Sequence, residues 1–511
     1  MAGPIDITGA MITTATPAGD WLAIVPIALP IIAGASLLML RKRLHWQAPI
    51  AVATLALVSL ATMALFVRVW TSGTVVMTMG RWLPPFGISF TVDVLGALFA
   101  CTASLVALAC GVAAVQSIER PARRYGYFPF LLLTSVGVNG AFLTGDIFNM
   151  YVWFEVFLIS SFGLLVVGST RAQLDGTLKY GVLNLIGTTL FLIATGYLYG
   201  VLGTLNMADI VRKVPQLDGA PLMTLAALYL TAFAMKAAAF PVQAWLPAAY
   251  HTPNVVTSAF FGGVLTKVGV YALLRVLVLL FPMQLAGLSG VMAWIAAVTM
   301  VLGALGALAQ SDIRRMVGFL VISGVGVMLS GLAIGTGPAL AGGIFYALHS
   351  MVALTAFYLL AGFIADRAGS ASLHVLGGLS SVPLLTGVAF ILMLCIAGLP
   401  PGSGLWPKIM VVRAALEAQH GWLTAAILVS SLLTIITLGR FFLLTVWRPA
   451  VADAVLAEGK RSSWPGPMLA LTAVALLMGL YPEPFVQAAS RAADGLLDPA
   501  AYVQAVFGGQ N

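Results

Sequence analysis

The chain has 511 residues, of which 60% are hydrophobic and only 8% charged, and its mean hydropathy is +1.02. Soluble domains carry about a quarter charged residues, so this composition excludes a soluble organisation and specifies a polytopic membrane protein. The net charge of +8 does not imply nucleic acid, because there is no soluble basic domain to bind it and basic loops serve membrane orientation instead.

Residues 1–20 contain two acids and no Lys or Arg, so they lack the basic start of a secretory signal and are expected to form an extracytoplasmic segment. Windows of about 20 apolar residues, the length that crosses a roughly 30 Å hydrocarbon core, then recur and predict an all-α protein of about 14 transmembrane helices. They are expected near 21–40, 48–69, 89–113, 128–145, 147–167, 179–203, 221–250, 254–281, 286–309, 315–335, 338–364, 382–416, 421–446 and 466–484. This groups as three leading helices over 21–113, two five-helix repeats over 128–281 and 286–446, a last helix at 466–484 and a tail over 485–511. Arg41, Lys42, Arg43, Arg120, Arg123, Arg124, Arg171, Arg314, Arg315, Arg367, Arg448, Lys460 and Arg461 fall on loops of one side. Arg81, Arg212, Lys213 and Arg491 fall on the other, so the positive-inside rule places the first set in the cytoplasm and both termini outside.

Two helices are interrupted. Phe240-Pro241-Val242-Gln243-Ala244-Trp245-Leu246-Pro247 puts two prolines at membrane depth, and Gly398-Leu399-Pro400-Pro401-Gly402-Ser403-Gly404-Leu405-Trp406-Pro407 does so more severely. Each proline removes a backbone donor, and such backbone survives in a bilayer only against protein or a watery cavity. Interrupted helices in matching places of two halves mark repeat-built transporters. The second break falls five helices after the first, and an odd repeat length inverts the second copy.

Charge at hydrocarbon depth costs roughly 2.5 kcal/mol or more, so Glu155, Lys236, Lys267 and Lys408 within apolar stretches point to proton or cation movement. Glu155 shares a helix face with Tyr151 and Ile159, and its helix opens on Asp146 and Asn149. Lys236 precedes Pro241 by five residues, about 7.5 Å along an α-helix, and is expected to form a switchable ion pair with Glu155. Lys267 sits mid-helix, too deep to snorkel, with Gly263 and Tyr271 one turn to either side; Tyr271 offers a hydroxyl to a proton path. Lys408 follows the second break, and His349 can relay protons near neutral pH. His251 lies on a turn near the cytoplasmic face, either passing protons between bulk water and Lys267 or capping a helix. His45, His374 and His420 read as solvated, and Arg314 and Arg315 as orientation charges.

Cys101, Cys110 and Cys395 form no CxxC and read as packing residues, and no phosphate loop, dinucleotide fingerprint or metal-ligand cluster is present. The expectation is therefore a transporter subunit with no catalytic residue, cofactor or metal, driven by an ion gradient or by partner subunits.

Thr144-Gly145-Asp146-Ile147-Phe148-Asn149-Met150-Tyr151-Val152-Trp153-Phe154-Glu155, Met235-Lys236-Ala237-Ala238-Ala239-Phe240-Pro241, Tyr250-His251-Thr252-Pro253, Leu265-Thr266-Lys267-Val268-Gly269-Val270-Tyr271 and Gly398-Leu399-Pro400-Pro401 resemble the antiporter-like subunits of Mrp-type cation/proton antiporters and respiratory complex I. Within that superfamily the chain looks most like the D subunit of the Mrp (Mnh, Pha, Sha) antiporter, from about Trp21 to Leu480. The resemblance implies a proton relay through Glu155, Lys236, Lys267, His349 and Lys408. It also implies partner membrane subunits, exchange of protons against Na+ or K+, and a bacterial inner-membrane location. Its departure is in helix eleven, where His349 and Ser350 stand for a usual histidine pair and Leu354 for a usual lysine. That departure leaves room for a chain that keeps the fold without conducting. A proton-pumping subunit of a complex I-like dehydrogenase or membrane-bound hydrogenase is the alternative reading.

Overall fold

A computed structural model describes residues 11–12, 16–80, 82–217, 221–449 and 464–508. Most of the expected N-terminal segment, Arg81, Lys460 and Arg461 lie outside the described residues. The helices are α1 Val25–Met39, α2 Leu44–Ser72, α3 Val94–Ser117, α4 Arg120–Arg124, α5 Tyr127–Leu143, α6 Ile147–Val166, α7 Arg171–Leu202, α8 Met207–Lys213, α9 Leu222–Ala237, α10 Trp245–Tyr250 and α11 Val255–Phe260. They continue as α12 Thr266–Leu273, α13 Pro282–Ala309, α14 Ile313–Ile334, α15 Gly337–Ala368, α16 Pro383–Ala397, α17 Leu405–Glu417, α18 Gly421–Phe442, α19 Gly466–Leu480, α20 Glu483–Leu497 and α21 Ala500–Phe507. Among the described residues, nine helical stretches are long and apolar enough to cross a membrane, or ten if α19 and α20, bent by 81°, count as one span. Four shorter apolar helices, α1, α5, α9 and α16, accompany them.

The helix expected from residue 89 starts instead at Val94. Ser89–Val92 forms a strand, β2, that pairs antiparallel with β1, Val75–Thr78, in the register Val75 opposite Val92. Its Phe-Thr-Val run fits a pleated surface, and Asp93 ends it by accepting a hydrogen bond from the Gly96 amide at 2.9 Å as the cap of α3. The stretch expected to be a tail holds α20 and α21. Ala488, Ala489, Ala492, Ala493 and Leu496 line one buried face of α20, which packs on α15 and α3.

The span Val255–Leu280 is the axis of the bundle, buried throughout its central 18 residues, and α14 and α15 are nearly as enclosed. It is not a uniform α-helix: π-helical turns occupy Phe261–Leu265 and Leu274–Leu280. The two interruptions fall where the prolines place them, over 238–244 between α9 and α10 and over 398–404 between α16 and α17. The same local architecture recurs elsewhere in the two halves. Asp146 caps α6 and bridges to Asn206, and 166 residues later Asp312 caps α14 and bridges to Ser372. The 32-residue helices α7 and α15 start with the same offset.

Candidate functional site

Each of the deep lysines Lys236, Lys267 and Lys408 is held by a group that a broken or distorted helix, or a neighbouring hydroxyl, makes available. Lys236 ends α9, where Ala238 turns the chain with φ +59°. Its Nζ donates to Thr188 Oγ1 on α7 at 2.9 Å and lies 5.7 Å from the Phe154 ring centre. The freed backbone around it is satisfied from outside the helix: Trp245 Nε1 donates to the Met235 carbonyl at 3.2 Å, and the Phe240 amide donates to Thr299 Oγ1 at 3.0 Å. Gly269 of α12 lets the central span press on this break, since a Cβ there would lie 2.7 Å from the Ala237 nitrogen.

Lys267 is fully buried, and its Nζ donates to the Gly262 carbonyl at 2.8 Å, within the first π-turn of its own span. That turn shifts the i to i−4 pairing and leaves a carbonyl for the ammonium. Lys408, in the first turn of α17, reaches back across the second break to the Ala397 carbonyl at 2.8 Å, at the C-terminal end of α16 where a cation is favoured. Gly398 makes room for it: its φ is +79°, and a Cβ there would come 2.8 Å from Lys408 Cδ. His349 on α15 shares a 2.7 Å hydrogen bond between its Nδ1 and Ser403 Oγ inside the same break. Lys267 and Lys408 both lie within electrostatic reach of His349. Leu354, where the resemblance expects a lysine, is buried at 3% exposure.

The accessory residues divide. His251 caps α10: its Nδ1 donates to the Pro247 carbonyl at 2.8 Å, and burial lowers its pKa below the ordinary imidazole range. Asp146 accepts the Asn149 amide at 2.7 Å as the cap of α6. Tyr271 donates to the Phe142 carbonyl at 2.6 Å. Glu155 is not brought into contact with Lys236; among the described residues no ion pair within 4.0 Å joins it, although it lies within electrostatic reach. It is half-buried on a face of α6 with the exposed Phe148, Val152 and Ile159, because Phe154, one residue earlier, is the side chain turned toward Lys236.

Sequence reasoning missed Arg275, the largest fully buried side chain of the chain's described residues. Its guanidinium takes both oxygens of Asp93, with Nη1 to Oδ2 at 2.7 Å, and its Nε donates to Tyr271 Oη at 2.9 Å. The signal was present, an arginine eight residues after Lys267 inside Leu273-Leu274-Arg275-Val276-Leu277. Thr188 and Ser403 carried no comparable signal, the first being an ordinary hydroxyl in an apolar helix and the second one small polar residue within the second break.

The family model described as NADH:quinone oxidoreductase/Mrp antiporter, TM, matches residues 144–434, more than half of the chain. The chain belongs to this family. Among its members, the D subunit of the Na(+)/H(+) antiporter of Alkalihalophilus pseudofirmus is 36% identical over 488 residues, covering 95% of this chain and 99% of that one. The corresponding D subunit of Bacillus subtilis is 35% identical over 486 residues, with the same coverage. In three dimensions the chain is similar to a protein in the structure of the Mrp complex from Dietzia sp. DQ12-45-1b. That match has a TM-score of 0.88 and 30% identity, and covers 96% of this chain and all of the other. Respiratory complex I from Thermus thermophilus holds a further similar chain, at TM-score 0.81 and 25% identity over 94% of this chain. As a member of this family the chain is a multi-pass membrane protein with the complex I-like antiporter fold.

Proposed function

We propose that this chain is the D-type subunit of a multisubunit cation/proton antiporter in a bacterial plasma membrane, and that it moves protons along Lys236, Lys267, His349 and Lys408. The observation that carries the reading is the row of deeply buried ionisable groups, each held by a hydroxyl or by backbone freed at a helix break or a π-turn. Such contacts hold a charged lysine yet are weaker than an ion pair, so the proton can leave. Glu155, on an exposed face, is the member turned toward a neighbouring subunit. His251, with the buried Tyr250, Thr266 and Tyr358 hydroxyls that have no protein partner among the described residues, supplies the cytoplasmic approach to Lys267. Water is the natural occupant of such polar, unpaired surroundings.

In this reading the chain has 14 crossings: ten from long or bent spans and four from the shorter helices. The recurrence at an offset of 166 residues reflects two five-helix repeats, and the capped turns at Asp146 and Asp312 lie on opposite faces because the second copy is inverted. Partner membrane subunits are supported by the likeness to a chain of the Mrp complex and Na+ as the exchanged ion by the names of the relatives; K+ is the other ion this reading admits. The likeness to a complex I chain supports a redox-driven pump only at lower identity. The test is collapse of a preformed pH gradient on adding Na+ or K+. It uses inverted vesicles from an antiporter-deficient bacterium expressing this chain with its neighbouring genes. Collapse that disappears in Lys236→Ala, with assembly intact, is expected; a Lys236→Ala variant that transports normally removes the relay.

A further inference from the structure

The groups left over by this relay gather at the opposite end of the central span. Lys267, Tyr271 and Arg275 follow at four-residue intervals and so lie along one face, with about 12 Å of helix between the two cations. Tyr271 links them. Its hydroxyl accepts from Arg275 Nε, and its ring packs on Phe99 and Phe142. Arg275 in turn is clamped by Asp93, and its guanidinium lies 5.5 Å from the ring centre of Tyr502 on α21.

Asp93 also forms part of the wall of a cavity of about 300 Å³, together with Thr74, Arg491, Asp494, Asp498 and Tyr502. The cavity sits between the start of α3 and the two C-terminal helices, on the face that the distribution of Lys and Arg assigns to the outside. Arg491, Asp494 and Asp498 are exposed there, whereas Asp93 is 8% exposed and Arg275 1%. A cavity with exposed acidic side chains in its wall thus ends on a buried ion pair, and behind the pair Tyr271 stands one helical turn from a relay lysine. A structural strut alone requires no cavity on its acidic side, and replacing such a pair by apolar groups is often neutral or stabilising.

We propose that this cavity is the extracytoplasmic mouth of the relay, that the Asp93–Arg275 pair is its gate, and that Tyr271 joins the gate to Lys267. The inference rests on the relay reading above. In the closed state Arg275 holds both carboxylate oxygens and seals the cavity floor. A proton leaving the Lys267 ammonium through the Tyr271 hydroxyl and water makes Asp93 a neutral acid, which releases Arg275. Asp93 then gives that proton to the cavity, becomes a carboxylate and re-forms the pair, while Arg275 keeps its charge throughout. Asp494 and Asp498 draw the released proton outward.

The test uses the full chain expressed with its neighbouring subunits. Ala501, an exposed residue of the cavity wall, is replaced by Cys, and intact cells are treated with a membrane-impermeant cationic methanethiosulfonate. Exchange is then read in inverted vesicles beside treated wild type, whose own cysteines are buried or half-buried. Labelled Ala501→Cys is expected to exchange at least fivefold more slowly than the unlabelled variant, and Tyr271→Phe, which keeps the ring and the ion pair, to lose at least fivefold at unchanged assembly. Labelled Ala501→Cys that exchanges at the unlabelled rate, or a site the reagent cannot reach, overturns the mouth. Lys267→Ala separates the two readings: inactive Lys267→Ala with unaffected labelled Ala501→Cys removes only this proposal, whereas active Lys267→Ala removes the relay beneath it.

Discussion

Thr188→Val isolates the one hydrogen bond that holds the Lys236 ammonium among the described residues. Valine keeps the shape of threonine and removes the hydroxyl, which accepts from Nζ at 2.9 Å and donates to the Asn184 carbonyl at 2.6 Å. A hydrogen bond to a charged group is worth about 1.5–3 kcal/mol and one to a neutral group about 0.5–1.5. The loss therefore falls on the charged lysine by roughly 1–1.5 kcal/mol more than on the neutral one. At 1.36 kcal/mol per tenfold, the ratio of protonated to neutral Lys236 falls roughly 5- to 13-fold, and exchange should slow by up to a similar factor. Folding loses little, because the freed Asn184 carbonyl keeps its place in the α7 ladder. The assay is the gradient-collapse rate per assembled protein, with Thr188→Ser, which retains the hydroxyl, expected to stay within twofold of wild type. Thr188→Val running as fast as wild type would refute the idea that this bond sets the charge state of Lys236.

At the second break, Gly398→Ala places a Cβ 2.8 Å from Lys408 Cδ at φ +79°. Left-handed backbone costs a non-glycine residue about 1–2 kcal/mol, and the displaced ammonium loses its carbonyl, so exchange should fall more than tenfold with a lowered melting temperature in detergent. Gly269→Ala meets backbone 2.7 Å away at Ala237, which cannot yield as a side chain would. A net destabilisation of about 1–2 kcal/mol is expected after its helix-propensity gain, read as a lower thermal midpoint. Ser403→Ala removes the partner of His349 and should slow exchange while leaving the melting temperature within a few degrees, whereas Ser403→Thr should restore much of the rate. Burial pushes the Asp146 carboxyl, which precedes α6, from 3.8 up to about 6. Its raised folded value favours the protonated fold below pH 3.8, and that contribution, at most about 3 kcal/mol, is lost as pH rises through 6. The melting temperature of wild type relative to Asp146→Asn should therefore fall between pH 4 and 6.5; a constant difference would contradict the assignment.

The sequence by itself determined the class, both helix breaks and the depth of Lys236, Lys267, His349 and Lys408. Composition, proline position and distance from helix ends are local properties, and hydrocarbon solvent leaves few alternatives to a helix. It did not determine which groups meet. Asp93 and Arg275 are 182 residues apart, so only the packing of α3 against the central span could pair them. Glu155 was expected opposite Lys236, but a rotation of one residue around α6 turns Phe154 inward and leaves the carboxylate on the outer face. The π-turn that gives Lys267 its carbonyl is a property of the central span as packed among its neighbours, invisible in residue periodicity. The C-terminal helix α20 was overlooked for the opposite reason: its alanine face is too weakly apolar to register as a span, and becomes structure only against α15 and α3. In a membrane the solvent fixes the secondary structure, and tertiary contact decides where each charge is held.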